Sequence, residues 1–78
     1  MHIDKKIVKE QVADFLKISV NRMDDTMQLR SIVPDSFMLV ELLIRLQEEY
    51  GMRLGQADLE TISTVSDLTE LIAARARQ

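Results

Sequence analysis

Asp35-Ser36-Phe37-Met38-Leu39-Val40-Glu41-Leu42-Leu43 is the stretch from which the fold of this chain is read. Asp35 has the short carboxylate that accepts a hydrogen bond from the free amides at a helix start, so it serves as N-cap. Pro34 pushes Val33 toward extended backbone and places the helix start just after it. The helix then runs from Ser36 to about Tyr50, where Gly51 offers a stop in the left-handed conformation. With Ser36 at 0° and steps of about 100°, Leu39, Leu42, Leu43, Leu46 and Tyr50 gather between roughly 240° and 340°, a complete core-facing stripe. Phe37, Val40 and Ile44 fall between roughly 40° and 100°, on a second apolar face. Glu41 and Glu48 border that face, and Gln47 lies between it and the direction of Ser36.

Two readings of the second face stay open. Exposed apolar clusters of this kind mark partner surfaces. Alternatively, the segment before the helix and the last helix cover it, and the helix is buried all round. Ser36 is open in the same way: it is an ordinary helix-start residue, or an attachment point for something bulky that leaves the domain from the helix mouth.

Upstream, residues 4–18 read as a first helix with Asp4 as N-cap. Ile7, Val8, Val12, Phe15 and Leu16 share one broad stripe, and Lys6, Lys9, Glu10, Asp14 and Lys17 take the other side. Residues 19–35 form a long connection whose apolar members, Val20, Met23, Met27, Leu29, Ile32 and Val33, pin it across the bundle. Downstream, Gln56–Thr61 is a short helical turn. Thr64-x-x-Asp67 resembles a capping box and opens a last helix over about 65–76, with the stripe Val65, Leu68, Leu71, Ile72 and Ala76. Arg75 and Arg77 put positive charge where the helix dipole favours it. The expected fold is all-α: one domain over residues 1–78, a small bundle of three main helices plus one short helix.

Composition narrows the function classes. With 46% hydrophobic and 29% charged residues the chain is globular rather than disordered. Two Gly and one Pro argue for helices over a strand-rich fold. It has no Cys, hence neither disulfides nor a cysteine metal site. No apolar run reaches membrane-spanning length, and Met1–Lys6 has no signal-peptide core, so a soluble cytoplasmic protein is expected; it is also expected to be a monomer. Residues 1–34 hold six Lys/Arg and five Asp/Glu, residues 35–78 four and eight, so the half that contains Ser36 is acidic. That balance, without stacking aromatics, points away from nucleic acid and toward partners with a basic docking surface.

Chemistry of its own is absent from the pattern. No nucleophile–base pair, paired carboxylates, glycine-rich phosphate loop or metal cluster can be assembled, so no catalytic or metal residue is assigned. The one histidine, His2, reads as a solvated terminal residue, and Asp24-Asp25 as solvated loop acids.

The pattern Asp35-Ser36-Phe37-x-x-Val40-Glu41-Leu42-Leu43, followed by Gln47-Glu48-Glu49-Tyr50-Gly51-Met52-Arg53-Leu54, resembles the acyl carrier proteins, and Asp58-Leu59, Ile62, Thr64-Val65 and Asp67-Leu68 continue the likeness. It covers essentially the whole chain. The resemblance implies that Ser36 receives a 4′-phosphopantetheine arm from coenzyme A through a separate, magnesium-dependent phosphopantetheinyl transferase, with Asp35 as the second cofactor-binding residue. The arm's thiol then holds an acyl or aminoacyl group as a thioester, which a chain without cysteine cannot do by itself. It further implies that Phe37, Val40, Glu41, Ile44 and Glu48 dock a loading enzyme and a downstream synthase or transferase, and that the bundle interior shelters a short acyl chain in some members. Departures are also visible. Phe37 stands where the family usually has Leu, Met38 where an acidic or small residue is common, and Ile32-Val33-Pro34 where a Gly is common. The Asp-Ser-Phe form resembles D-alanyl carrier proteins, whereas the region after Leu54 looks like general acyl carriers. The expectation is a discrete acyl carrier for polyketide, nonribosomal peptide or specialised fatty-acid biosynthesis. The alternatives are a D-alanyl carrier, or an unmodified interaction module on the same fold.

Overall fold

A carboxylate starts the first helix, as expected. The Asp4 side chain accepts a hydrogen bond from the Lys6 amide at 3.0 Å, and α1 spans Lys5–Leu16. The computed structural model describes residues 4–76, so His2 and Arg77 lie outside the described residues. α1 ends short of residue 18 because Lys17 turns into the left-handed region, at φ 60°, and the amides of Lys17 and Ile18 fold back onto the Asp14 and Ala13 carbonyls. A non-glycine residue there costs about 1–2 kcal/mol, and nothing in the local sequence announces it. Val8, Val12 and Ala13 face the core, whereas Ile7, expected on the stripe, is 46% exposed. Ile7 stands roughly 100° round the helix from Val8, at the edge of the buried arc.

Residues 19–35 hold more structure than the expected connection. Ser19 caps a single 3₁₀ turn, Val20–Arg22, and α2 spans Leu29–Ile32. Met23, Leu29 and Val33 are buried, and Val20, Met27 and Ile32 pack partly buried against the same core. The segment is tied to the far end of the chain through its backbone. The Leu29 amide donates to the Ser63 carbonyl (2.8 Å), the Val65 amide to the Met27 carbonyl (2.9 Å) and the Ser66 amide to the Asp25 carbonyl (2.9 Å). The latter two bonds satisfy open amides at the start of α5, Val65–Ala76. Thr64 and Asp67 finish that helix end as a reciprocal capping box: the Asp67 amide donates to Thr64 Oγ1 and the Thr64 amide to Asp67 Oδ2, each at 3.1 Å.

α3 spans Ser36–Tyr50 with Asp35 and Gly51 as its caps, Gly51 sitting at φ 60° where a side chain would be strained. Leu42, Leu43 and Leu46 are buried, and Leu39 and Tyr50 pack half-buried against the same core. Gln47, which falls between Ser36 and the second face, is half-buried and bonded to backbone. Its Oε1 accepts from the Leu54 amide (3.1 Å) and its Nε2 donates to the Leu43 carbonyl (3.2 Å), which fixes the turn into α4, Gln56–Thr61. Asp58 of α4 forms an ion pair with Arg75 of α5, and Arg75 also donates to the Arg53 carbonyl. Among the described residues the fold is all-α, as expected, with three long helices, α1, α3 and α5, and two short α-helices, α2 and α4, where one short helix was expected. All three long helices contribute to one core in which Val8, Val12, Met23, Leu42, Leu46, Val65, Leu68 and Ile72 are essentially sealed from water. Among the described residues there is no strand, only an isolated bridge between Gln28 and Thr64.

Candidate functional site

Ser36 is the first residue of α3 and is exposed. Asp35 organises this end: its Oδ1 accepts from the Phe37 amide at 3.0 Å, and its carbonyl accepts from the Leu39 amide at 3.1 Å. The Asp35 carboxylate is therefore engaged by backbone, and no described residue hydrogen-bonds the Ser36 hydroxyl. Among the described residues no general base is held against that hydroxyl, the arrangement a nucleophilic serine needs.

On one side of Ser36 the second apolar face stands open. Phe37 is 70% exposed, and Val40 and Ile44 are each 49% exposed. Neither the 19–35 segment nor α5 covers this surface, so the reading of α3 as buried all round is set aside. Glu41 and Glu48 are exposed at its border. Arg45 sits between them in sequence, yet its guanidinium lies over the Phe15 ring, 5.6 Å from the centroid. A shallow depression gathers Phe15, Glu41, Ile44, Arg45 and Glu48.

On the other side lies an open cleft of about 570 Å³ between α2, α3 and α4. Leu29, Leu39, Leu43, Leu59 and Ile62 give it apolar walls, Gln28, Arg30, Glu60 and Ser63 add polar groups, and Ser36 and Val40 line it as well. The sequence reading missed these contributions from α2 and α4, because helices of four and six residues leave no periodicity to find.

The titratable groups with displaced pKa values support the frame. Backbone hydrogen bonds from Ser63 and then Thr64, joined by the Ser63 hydroxyl, hold the Asp67 carboxyl below its usual range. The Gly55 amide, and after it the Arg75 side chain, does the same for Asp58. Burial, with Glu49 adding to it, raises the Tyr50 phenol, whose hydroxyl is buried without a hydrogen-bond partner among the described residues. Of the two loop acids read as solvated, Asp25 pairs with Lys9 at 3.2 Å. Among the described residues no group of three or more His, Cys, Asp or Glu is placed to hold a metal ion.

A phosphate-linked arm fits what is present. An exposed hydroxyl stands at the positive end of a fifteen-residue helix, with an apolar-walled cleft and an arginine beside it. Comparison with known proteins agrees. Residues 6–72 match the family model for the phosphopantetheine attachment site. The chain is 35% identical over 74 residues to polyketide-8 synthase acyl carrier protein 2 of Streptomyces avermitilis, covering 94% of this chain and 85% of that protein. It is 38% identical over 68 residues to an acyl carrier protein of Clostridium perfringens, covering 83% of this chain and 87% of that one. A third relative, the acyl carrier protein of Saccharopolyspora erythraea, is 36% identical over 74 residues, covering 88% of this chain and 78% of its own length. The chain belongs to the acyl carrier protein family, a carrier rather than an enzyme, with 4′-phosphopantetheine as its covalent prosthetic group.

Proposed function

We propose that Ser36 is the attachment point and that the chain, acting as a cytoplasmic monomer, presents an acyl or aminoacyl group to successive enzymes of a polyketide, nonribosomal peptide or specialised fatty-acid route. One observation carries this reading: Ser36 is exposed at the start of α3, between an uncovered apolar face and an open cleft. When bound, the arm supplies the thiol that this cysteine-free chain lacks. The chain's own residues orient and recognise. The end of α3 favours a negative charge on Ser36 by about 0.3–1 kcal/mol at an exposed position, and Asp35 keeps the first turn of α3 in register through the Phe37 amide.

Phe37, Val40 and Ile44 form the docking face for the phosphopantetheinyl transferase and the synthase enzymes, with Glu41 and Glu48 meeting basic groups on them. Burying Phe37 in a partner pocket yields up to about 2–3 kcal/mol, which makes it the anchor, while the exposed carboxylates act mainly on encounter rate and orientation. The likeness to a polyketide synthase carrier favours the polyketide route among the three. Incubation with coenzyme A, magnesium and a broadly specific phosphopantetheinyl transferase tests the assignment. The wild type gains the mass of one phosphopantetheine and Ser36→Ala gains none. Equal gain in both variants places the arm elsewhere, and no gain in either leaves an unmodified interaction module.

A further inference from the structure

We propose that Arg30 is a binding residue for the arm: its guanidinium pairs with the phosphodiester on Ser36 and draws the root of the arm toward the cleft. This rests on Ser36 being the attachment point. Arg30 of α2 and Ser36 of α3 line the same opening. Arg30 is exposed, and the two ion pairs among the described residues join Lys9 to Asp25 and Arg75 to Asp58, leaving Arg30 outside both. No described side-chain hydrogen bond uses its guanidinium, and it is the one cation among the lining residues.

The charges around Ser36 make that cation matter. A phosphodiester adds a fixed negative charge to a helix end whose Phe37 amide already serves the Asp35 carboxylate. Asp35 is the chain neighbour of Ser36, and Glu60 lines the cleft from α4, so both repel the phosphate. Arg30 supplies the attractive wall. A planar guanidinium can meet two phosphate oxygens at once, which a point-charge ammonium does less well. Its backbone is anchored as well: the neighbouring Leu29 is buried, and the Leu29 amide is bonded to the Ser63 carbonyl at 2.8 Å. Because the opening faces water, the pairing is salt-sensitive.

The test uses the full chain loaded with phosphopantetheine, as wild type, Arg30→Lys and Arg30→Gln, with loading checked by intact mass. Phosphorus-31 NMR at low salt is expected to give a shifted resonance in the wild type, an intermediate one in Arg30→Lys and an unshifted one in Arg30→Gln. The three should converge in roughly 1 M NaCl, where the screening length is about 3 Å. The Arg30 Nε resonance of the wild type should move between the unloaded and loaded forms. Should Arg30→Gln fail to fold, that movement within the wild type decides alone. Loaded wild type and Arg30→Gln with coincident phosphorus resonances, or an unmoved Arg30 Nε, overturn the role of Arg30 and leave Ser36 attachment standing. A wild type that takes no arm overturns both.

Discussion

The Arg45 guanidinium lies over the ring of Phe15, 5.6 Å from its centroid, and so ties α3 to α1 across their exposed edges. In sequence Arg45 follows Glu41 by four residues and precedes Glu48 by three, the spacings at which a helix pairs opposite charges. Held on Phe15, it makes no ion pair with either among the described residues. Both carboxylates remain free to meet a basic partner. Replacing the ring releases the arginine onto them. Phe15→Leu should therefore weaken loading by a basic-surfaced transferase by about 2- to 5-fold in kcat/KM, the equivalent of a cation–π contact of about 0.5–1 kcal/mol. Steady-state loading of Phe15→Leu and of Phe15→Leu/Arg45→Gln separates the effects. Recovery in the double variant is expected, and a defect that persists there assigns the loss to packing instead.

Charge reversal at the border of the apolar face should act on encounter. Glu41→Lys and Glu48→Lys are expected to lower kcat/KM with partner enzymes, most clearly at low ionic strength, while circular dichroism stays that of the parent. The wild-type rate should fall with added salt and the variants' rates much less. Variants as active as the parent at low salt would remove Glu41 and Glu48 from the docking surface.

The two faces of α3 should differ sharply in their contribution to stability. Leu46 is 2% exposed and Val40 49% exposed. Leu46→Ala should cost about 2–5 kcal/mol, a large part of the stability available to a domain of this size. Val40→Ala should stay within about 0.5 kcal/mol, as surface changes do. Urea unfolding of the unloaded chain measures both. A large cost at Val40 would mean that the second face is packed in solution.

Acid should loosen the α4–α5 end first. Asp67 and Asp58 are held below their usual value of 3.8 in the folded chain, by the Ser63 and Thr64 amides in one case and the Gly55 amide and Arg75 in the other. A depressed folded pKa gives stability that is fully present above the unfolded value and is lost as pH falls through the folded one. Melting temperature should therefore drop steeply on acidification below about pH 4. Asp67→Asn and Asp58→Asn should start lower and show a flatter acid limb. Acid limbs parallel to the parent's would assign the loss to other carboxylates.

These contrasts also show what the sequence makes legible. The bounds of α3 follow from chemistry within a few residues: Asp35 reaches an amide two positions on, and Gly51 takes the backbone conformation most open to glycine. The stripe of Leu42, Leu43 and Leu46 follows from helical periodicity alone. The 19–35 segment resists such reading because its order comes from distant partners, the Ser63 carbonyl and the Val65 and Ser66 amides. The Gln47 bond to the Leu54 amide, seven residues away, is likewise beyond what a helical angle shows. Lys17 hides a left-handed stop without a glycine to mark it. At the site, Ser36, Asp35 and the Phe37/Val40/Ile44 face could be placed from one helix. The cleft, and Arg30 in it, depends on how α2 and α4 fold against α3, and that geometry is set by backbone bonds and by the Asp58–Arg75 pair.

The most direct measurement is peptide mass mapping of the chain isolated from the cells that make it. The peptide containing Ser36 is expected to bear phosphopantetheine, part of it with an acyl or aminoacyl group in hydroxylamine-labile linkage. A fully unmodified Ser36 peptide, from cells in which other carriers are loaded, would contradict the carrier role.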